Sequence, residues 1–100
     1  MKAYRVWEGS KGQKGLRKGG RKVTFKGEEL GYWSDGHPTT DRRGTAYRVF
    51  RAETGEIVIH RIRWSVWATE DDEGMIFRFP NLDEAVVKFR RVLEKAGVLN

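Results

Sequence analysis

Polar and apolar positions alternate at period two through most of this chain and switch to a three-and-four repeat only near its end. Tyr4 and Val6 alternate with Arg5 and Trp7 and predict a short first strand. Val23 and Phe25 alternate with charged neighbours, a turn is expected over Gly27 to Glu29, and Leu30 to Trp33 reads as extended again, a second hairpin-like unit. Ser34 to Gly44, with Pro38 and two glycines, reads as an internal loop. The alternation is strongest over Thr45 to Ala52 and Glu56 to Ala68, joined by Glu53-Thr54-Gly55-Glu56. Gly55 suits a tight hairpin there. An acidic turn over Thr69 to Gly74 leads to a further strand at Met75 to Phe79, completing a three-stranded meander.

Pro80 stops that strand, and the period then changes. Leu82, Ala85, Val86, Phe89, Leu93 and Ala96 repeat at helical spacing, Asn81 is placed as N-cap three residues before Glu84, and Gly97 stands where a C′ glycine belongs. A helix over Leu82 to Ala96 with one apolar stripe has to cover one face of a sheet. The expected fold is α+β: an antiparallel β-sheet of about five to six short strands covered on one face by a single C-terminal α-helix. At 100 residues and 38% hydrophobic the chain has room for one domain, 1–100, with one modest core.

Charge changes this picture. Residues 1–26 hold nine Lys/Arg against the single acid Glu8, whereas the remainder is slightly acidic; the whole chain is +6 with pI about 9.9. Glu8 to Gly20 is rich in glycine and basic residues, has Leu16 as its only aliphatic side chain, and is expected to be a mobile loop. Such a basic end calls for a polyanion, because phosphates repay clustered Lys/Arg through counterion release. There is no cysteine, which removes disulfides, thiolate metal sites and thiol nucleophiles. The longest apolar runs are three residues, and no apolar h-region opens the chain, so a cytoplasmic protein without membrane partners is expected.

With a simple register at the Thr54-Gly55 hairpin, Arg48 faces Arg61, Phe50 faces Ile59 and Ala46 faces Arg63. Period two then sorts the meander into two surfaces. Tyr47, Val49, Val58, His60, Ile62, Trp64, Val66, Met75, Phe77 and Phe79 form the core under the helix. Arg48, Phe50, Arg61, Arg63, Trp67 and Arg78, beside Ile57, Ile59, Ser65 and Ile76, fall on the side that the helix leaves bare. Guanidinium groups with aromatic rings suit a single nucleic-acid strand, the former for phosphates and the latter for stacking on bases. The plainer alternative is a solvated sheet face on which nearby Glu residues pair with the arginines. Lys11, Lys14, Arg17, Lys18, Arg21 and Lys22 would add nonspecific phosphate contacts, or merely solubilise.

The segment from Thr45 to Leu99, AYRVFRAETGEIVIHRIRWSVW, an acidic glycine turn and MIFRFPNLDEAVVKFRRVLEKAG, resembles the single-strand-binding domain of the transcriptional coactivator positive cofactor four, related in fold to the Whirly proteins. The resemblance implies a basic lead-in, a curved antiparallel sheet, dimerisation through the C-terminal helix, and melted DNA bound along the sheet by Arg48, Arg61, Arg63, Trp67 and Arg78. Residues 21–55, through RKVTFKGEELGYW and GTAYRVFRAETG, are also similar to a small bacterial family named EXLDI, which carries no activity over to this chain.

Catalytic signals are thin. Asp35-Gly36-His37-Pro38-Thr39-Thr40-Asp41 gathers two carboxylates and a histidine but matches turn chemistry better than any metal or base template. His60 reads as a hydrogen-bonded core histidine, and Glu70, Asp71, Asp72 and Glu73 as a solvated hairpin tip without calcium-loop spacing. The sequence therefore reads as a non-enzymatic, cofactor-free nucleic-acid-binding protein that prefers single-stranded DNA or RNA. The alternative is a small protein-interaction module or inhibitor of phage or plasmid type, whose Trp and Arg serve as hot spots on a partner protein.

Overall fold

The computed structural model describes residues 1–10, 18–36, 41–66 and 72–99. It contains five antiparallel strands, β1 (Lys2–Ser10), β2 (Lys18–Asp35), β3 (Arg43–Ala52), β4 (Ile57–Ser65) and β5 (Glu73–Phe79), followed by the helix α1 (Leu82–Lys95). Mostly antiparallel β structure with one C-terminal helix agrees with the α+β expectation. The sheet, however, is not open. Its strands run in the order β1-β2-β3-β4-β5 and close into a barrel, β1 meeting β5 at Gly9↔Gly74 and Ser10↔Glu73.

Closure depends on β2, which is one strand of 18 residues and not two short ones around a turn. Its first half pairs with β1 from Lys18 to Gly27, and its second half pairs with β3 from Gly27 to Asp35. Glycine permits the change of partner because the backbone comes too close to neighbours for a side chain. A Cβ at Gly27 would run into the Arg51 carbonyl, and one at Gly31, beside the register shift at Glu29/Gly31, would run into the carbonyl of Ala96. The expected turn at Gly27 to Glu29 is thus a bend within a continuous strand. β1 and the first half of β2 form a two-stranded ribbon that folds back over β3, β4 and β5. The ends of the expected 8–20 loop belong to that ribbon; residues 11–17 lie outside the described residues.

The β3–β4 register is also one residue away from the expected one. Ala52 N donates to Glu56 O (2.9 Å), Gly55 N donates to Ala52 O (2.8 Å), and Gly55 has φ 93°. The loop is therefore Glu53-Thr54-Gly55, three residues ending in a left-handed glycine, in place of a two-residue turn. Arg48 faces His60, Tyr47 faces Arg61, and Phe50 faces Val58. A one-residue slip exchanges the faces of a whole strand, so Ile57, Ile59, Arg61 and Arg63 join Tyr47 and Val49 on the α1 side, while Val58 and His60 join Arg48 and Phe50 on the other.

Two cores result. On the α1 side Val49, Ile57, Ile59, Ala85 and Leu93 are buried, with Leu30, Phe77, Phe79, Leu82, Val86 and Phe89 packed around them. On the ribbon side Val6, Phe50, Ala52 and Val58 are buried with Tyr4, Val23, Phe25 and Ile76 against them. The helix is capped as expected: Asn81 accepts from Glu84 N (3.0 Å), and Gly97 follows the C-terminus with φ 79°. Phe89 departs from helical angles (φ −123°, ψ 32°), its ring edge-on to Phe77 (4.9 Å) and Phe79 (5.8 Å).

Candidate nucleic-acid interface

The face expected to bind nucleic acid is covered by the ribbon. Phe50 is 0% exposed, its ring 4.8 Å from Tyr4 and 5.0 Å from Phe25, so it has no face to offer a base. Arg48 is half-buried at the rim of this core. Its Nε donates to Glu29 Oε2 (2.8 Å) and its Nη2 to Oε1 (3.2 Å), while its guanidinium lies 4.9 Å from the Phe50 ring centroid. The pairing holds the Glu29 carboxyl below its ordinary value, chiefly through the hydrogen bond from Arg48, and the same bond raises Arg48. Arg78 sits on this side too, 4.0 Å from Glu56. For Arg48 and Arg78 the balancing anion is thus carboxylate from the protein itself.

Arg61 and Arg63 face the opposite way. Arg61 Nη2 donates to Met75 Sδ (3.4 Å), with its guanidinium 5.2 Å from the Phe77 ring, and Arg63 is exposed beside its cross-strand partner Glu73. The predicted constellation is therefore divided between two sides of the sheet. Trp67, Lys11, Lys14 and Arg17 lie outside the described residues, as do the Lys18 side chain, His37 to Thr40, Glu70 and Asp71. Asp72, from the acidic turn, accepts from Ser65 N (3.1 Å). His60 is buried as expected, though on the ribbon side. Its Nε2 donates to the Trp7 carbonyl oxygen (2.8 Å) next to the barrel seam.

A different basic surface emerges on the ribbon. Tyr4, Val6, Val23 and Phe25 turn inward, so alternation sends Ala3, Arg5 and Trp7 of β1 and Lys22, Thr24 and Lys26 of β2 outward. These pair as Ala3↔Lys26, Arg5↔Thr24 and Trp7↔Lys22. Arg5, Lys22, Thr24 and Lys26 are exposed, and Trp7 is half-buried with its indole over Gly20, where a Cβ would collide with the ring. None of the six is acidic. The acids nearest in sequence are engaged elsewhere, Glu8 by Arg21 (2.8 Å) and Glu28 by Arg51 (3.6 Å). Lys22 and Lys26 stand four residues apart on one strand, a span of about 13 Å with Arg5 between them.

Of this group only Lys22 was singled out from the sequence; Arg5, Trp7 and Lys26 were missed. The available signal was an uninterrupted acid-free stretch, Gly9 to Gly27, with seven Lys/Arg. Arg21, named with Lys22, points to the Glu8 side of the ribbon.

No family model matches the chain, and neither a curated protein nor a solved structure is found to be similar to it. Among the described residues, no group of three or more His, Asp or Glu side chains is placed to hold a metal, and no helix is long and apolar enough to cross a membrane.

Proposed function

We propose that the protein is a non-enzymatic nucleic-acid-binding module that engages the phosphate backbone with the outer face of its β1–β2 ribbon. The observation that carries this reading is the face itself: Arg5, Lys22 and Lys26 exposed around Trp7, with no carboxylate among them. A face of one sign is costly to leave unneutralised and attracts a polyanion at long range. Lys11, Lys14 and Arg17, in the stretch between the two ribbon strands, add to the same positive charge. Affinity on this reading is electrostatic and salt-dependent, and a partner protein would have to present an acidic surface of matching extent.

Binding to single- and double-stranded DNA and RNA across a salt series tests it. Replacing Arg5, Lys22 and Lys26 together by alanine should leave the melting temperature nearly unchanged, since all three are exposed. The slope of log affinity against log salt should fall by about 0.9 per lost contact on duplex and about 0.7 on single strands. An unchanged slope, or no binding to any nucleic acid, sinks the reading and favours the protein-partner alternative.

A further inference from the structure

The end of the sheet that α1 leaves uncovered carries a second arrangement of arginine and aromatic side chains. Past the row where Phe89 caps Phe77, the α1-side positions run in registered rows: Trp33, Tyr47, Arg61 and Met75, where Tyr47 still meets the Phe89 ring edge-on (6.5 Å); then, beyond the helix, Asp35, Thr45, Arg63 and Glu73; then Arg43 and Ser65. The last two rows border an open depression of about 390 Å³ at the sheet end, lined by Arg43, Thr45, Arg63, Ser65 and Glu73 together with the oppositely facing pair Gly44 and Trp64. One row away, Trp33 and Tyr47 stack nearly parallel, 5.7 Å between centroids with 11° between planes.

We propose that this is a nucleotide subsite, in which Arg43 and Arg63 hold one phosphate and the attached base lies against the Trp33–Tyr47 pair. Thr45 and Tyr47 are two residues apart on β3, a step of about 6.8 Å, which suits the reach from a phosphate to its own base. Arg63 supports the anion end: it is exposed, and among the described residues no carboxylate pairs with it, although Glu73 stands directly across the strands. Thr45 and Ser65 bring hydroxyl groups, and guanidinium forks match phosphate oxygens. Glu73 and Asp35 border the same rows, which disfavours a second or third phosphate and selects an unstacked nucleotide of a strand over a nucleoside triphosphate. The subsite rests on the nucleic-acid reading but adds to it a preference for single strands, located on the side of the sheet opposite the ribbon.

The test is a titration of the intact protein with a deoxynucleoside 5′-monophosphate, following the Trp33 indole N–H signal by NMR. The deoxynucleoside alone, inorganic phosphate and the triphosphate serve as comparison ligands. The monophosphate should shift Trp33 saturably, with the nucleoside and inorganic phosphate each at least about tenfold weaker and the triphosphate no tighter. Arg63→Ala, at an exposed position, should weaken both the monophosphate and a single-stranded oligonucleotide while leaving duplex affinity and its salt slope unchanged. Absence of a saturable Trp33 shift overturns the subsite, as does an equal response to inorganic phosphate or equal losses on duplex and single strand. The ribbon variant separates the two proposals. Monophosphate binding that survives in it and depends on Arg63 upholds the subsite even if the polymer salt slope has not moved, in which case the ribbon reading alone fails.

Discussion

The central strands are covered on their two sides by layers of different kinds, and the contrast explains where the charge of this protein went. α1 is amphipathic in the ordinary sense: its stripe is buried, and its exposed side mixes Asp83, Glu84 and Glu94 with Lys88, Arg90, Arg91 and Lys95. The β1–β2 ribbon buries Val6 and packs the half-buried Tyr4, Val23 and Phe25 inward, but its exposed side bears Arg5, Lys22 and Lys26 with no acid. A cover that only shielded the core would be served by mixed charge, which avoids self-repulsion. The ribbon accepts that repulsion and the helix does not, and this difference is the ground on which the proposal assigns an anionic partner to the ribbon.

The sharpest way to break this comparison is to remove the ring on which the ribbon sits. Phe50 is fully buried between Tyr4, Phe25 and the Arg48 guanidinium, so Phe50→Ala should cost about 3–5 kcal/mol and leave little folded protein at physiological temperature. Phe50→Leu should lose less and remain folded. Chemical denaturation decides it: a Phe50→Ala midpoint equal to the wild type's means that the ribbon does not pack on this face.

On the helix side the equivalent anchor is Phe89, which is half-buried and held edge-on by Phe77 and Phe79. Because part of its ring already meets solvent, Phe89→Ala should cost less, about 2–3 kcal/mol. The variant should still bind duplex with the wild-type salt slope, since the ribbon is on the other side. If Phe89→Ala proves more damaging than Phe50→Ala, the helix and not the ribbon supplies the larger share of the core.

The two covers also differed in how far the sequence disclosed them. α1 was legible because every signal agreed: the stripe, Asn81 before Glu84, and Gly97 after the last turn. Such local signals need no knowledge of partners. The ribbon was hidden by Gly27, which looks like a turn residue but marks the place where a continuous strand passes close to Ala52. Turn and close approach demand the same residue, and only the tertiary fold separates them. The faces of β4 were lost for a smaller reason. Thr54-Gly55 suggests a two-residue turn, the chain uses three, and that one residue moved Arg61 and Arg63 away from Arg48. The positive charge of the first quarter was plain, and so was the alternation around Arg5 and around Val23, yet nothing local showed that these two stretches pair with each other, which is what lines up Arg5, Lys22 and Lys26.

The smallest predicted effect concerns the ion pair at the rim between the two halves of β2. Glu29 follows the bend at Gly27, its backbone N donates to Tyr4 Oη (3.1 Å), and its carboxylate takes two hydrogen bonds from Arg48. It therefore ties the ribbon to β3. Its pKa is lowered on folding, the largest cause being the Arg48 hydrogen bond, so the folded state favours the carboxylate. The stabilisation is then fully present above the ordinary glutamate value of 4.5 and is lost as pH falls below it, through the lowered folded value. Glu29→Gln should cost about 1 kcal/mol near neutral pH, modest because both side chains remain about one-third exposed, 33% and 32%. As pH drops from about 5 toward 3 the wild type should lose stability faster than the variant, and the two should converge, because only the wild type has this proton to take up. Denaturation midpoints of both proteins across that range give the measurement. Parallel curves would mean that the pair contributes nothing to folding and that the ribbon is held by its buried rings alone.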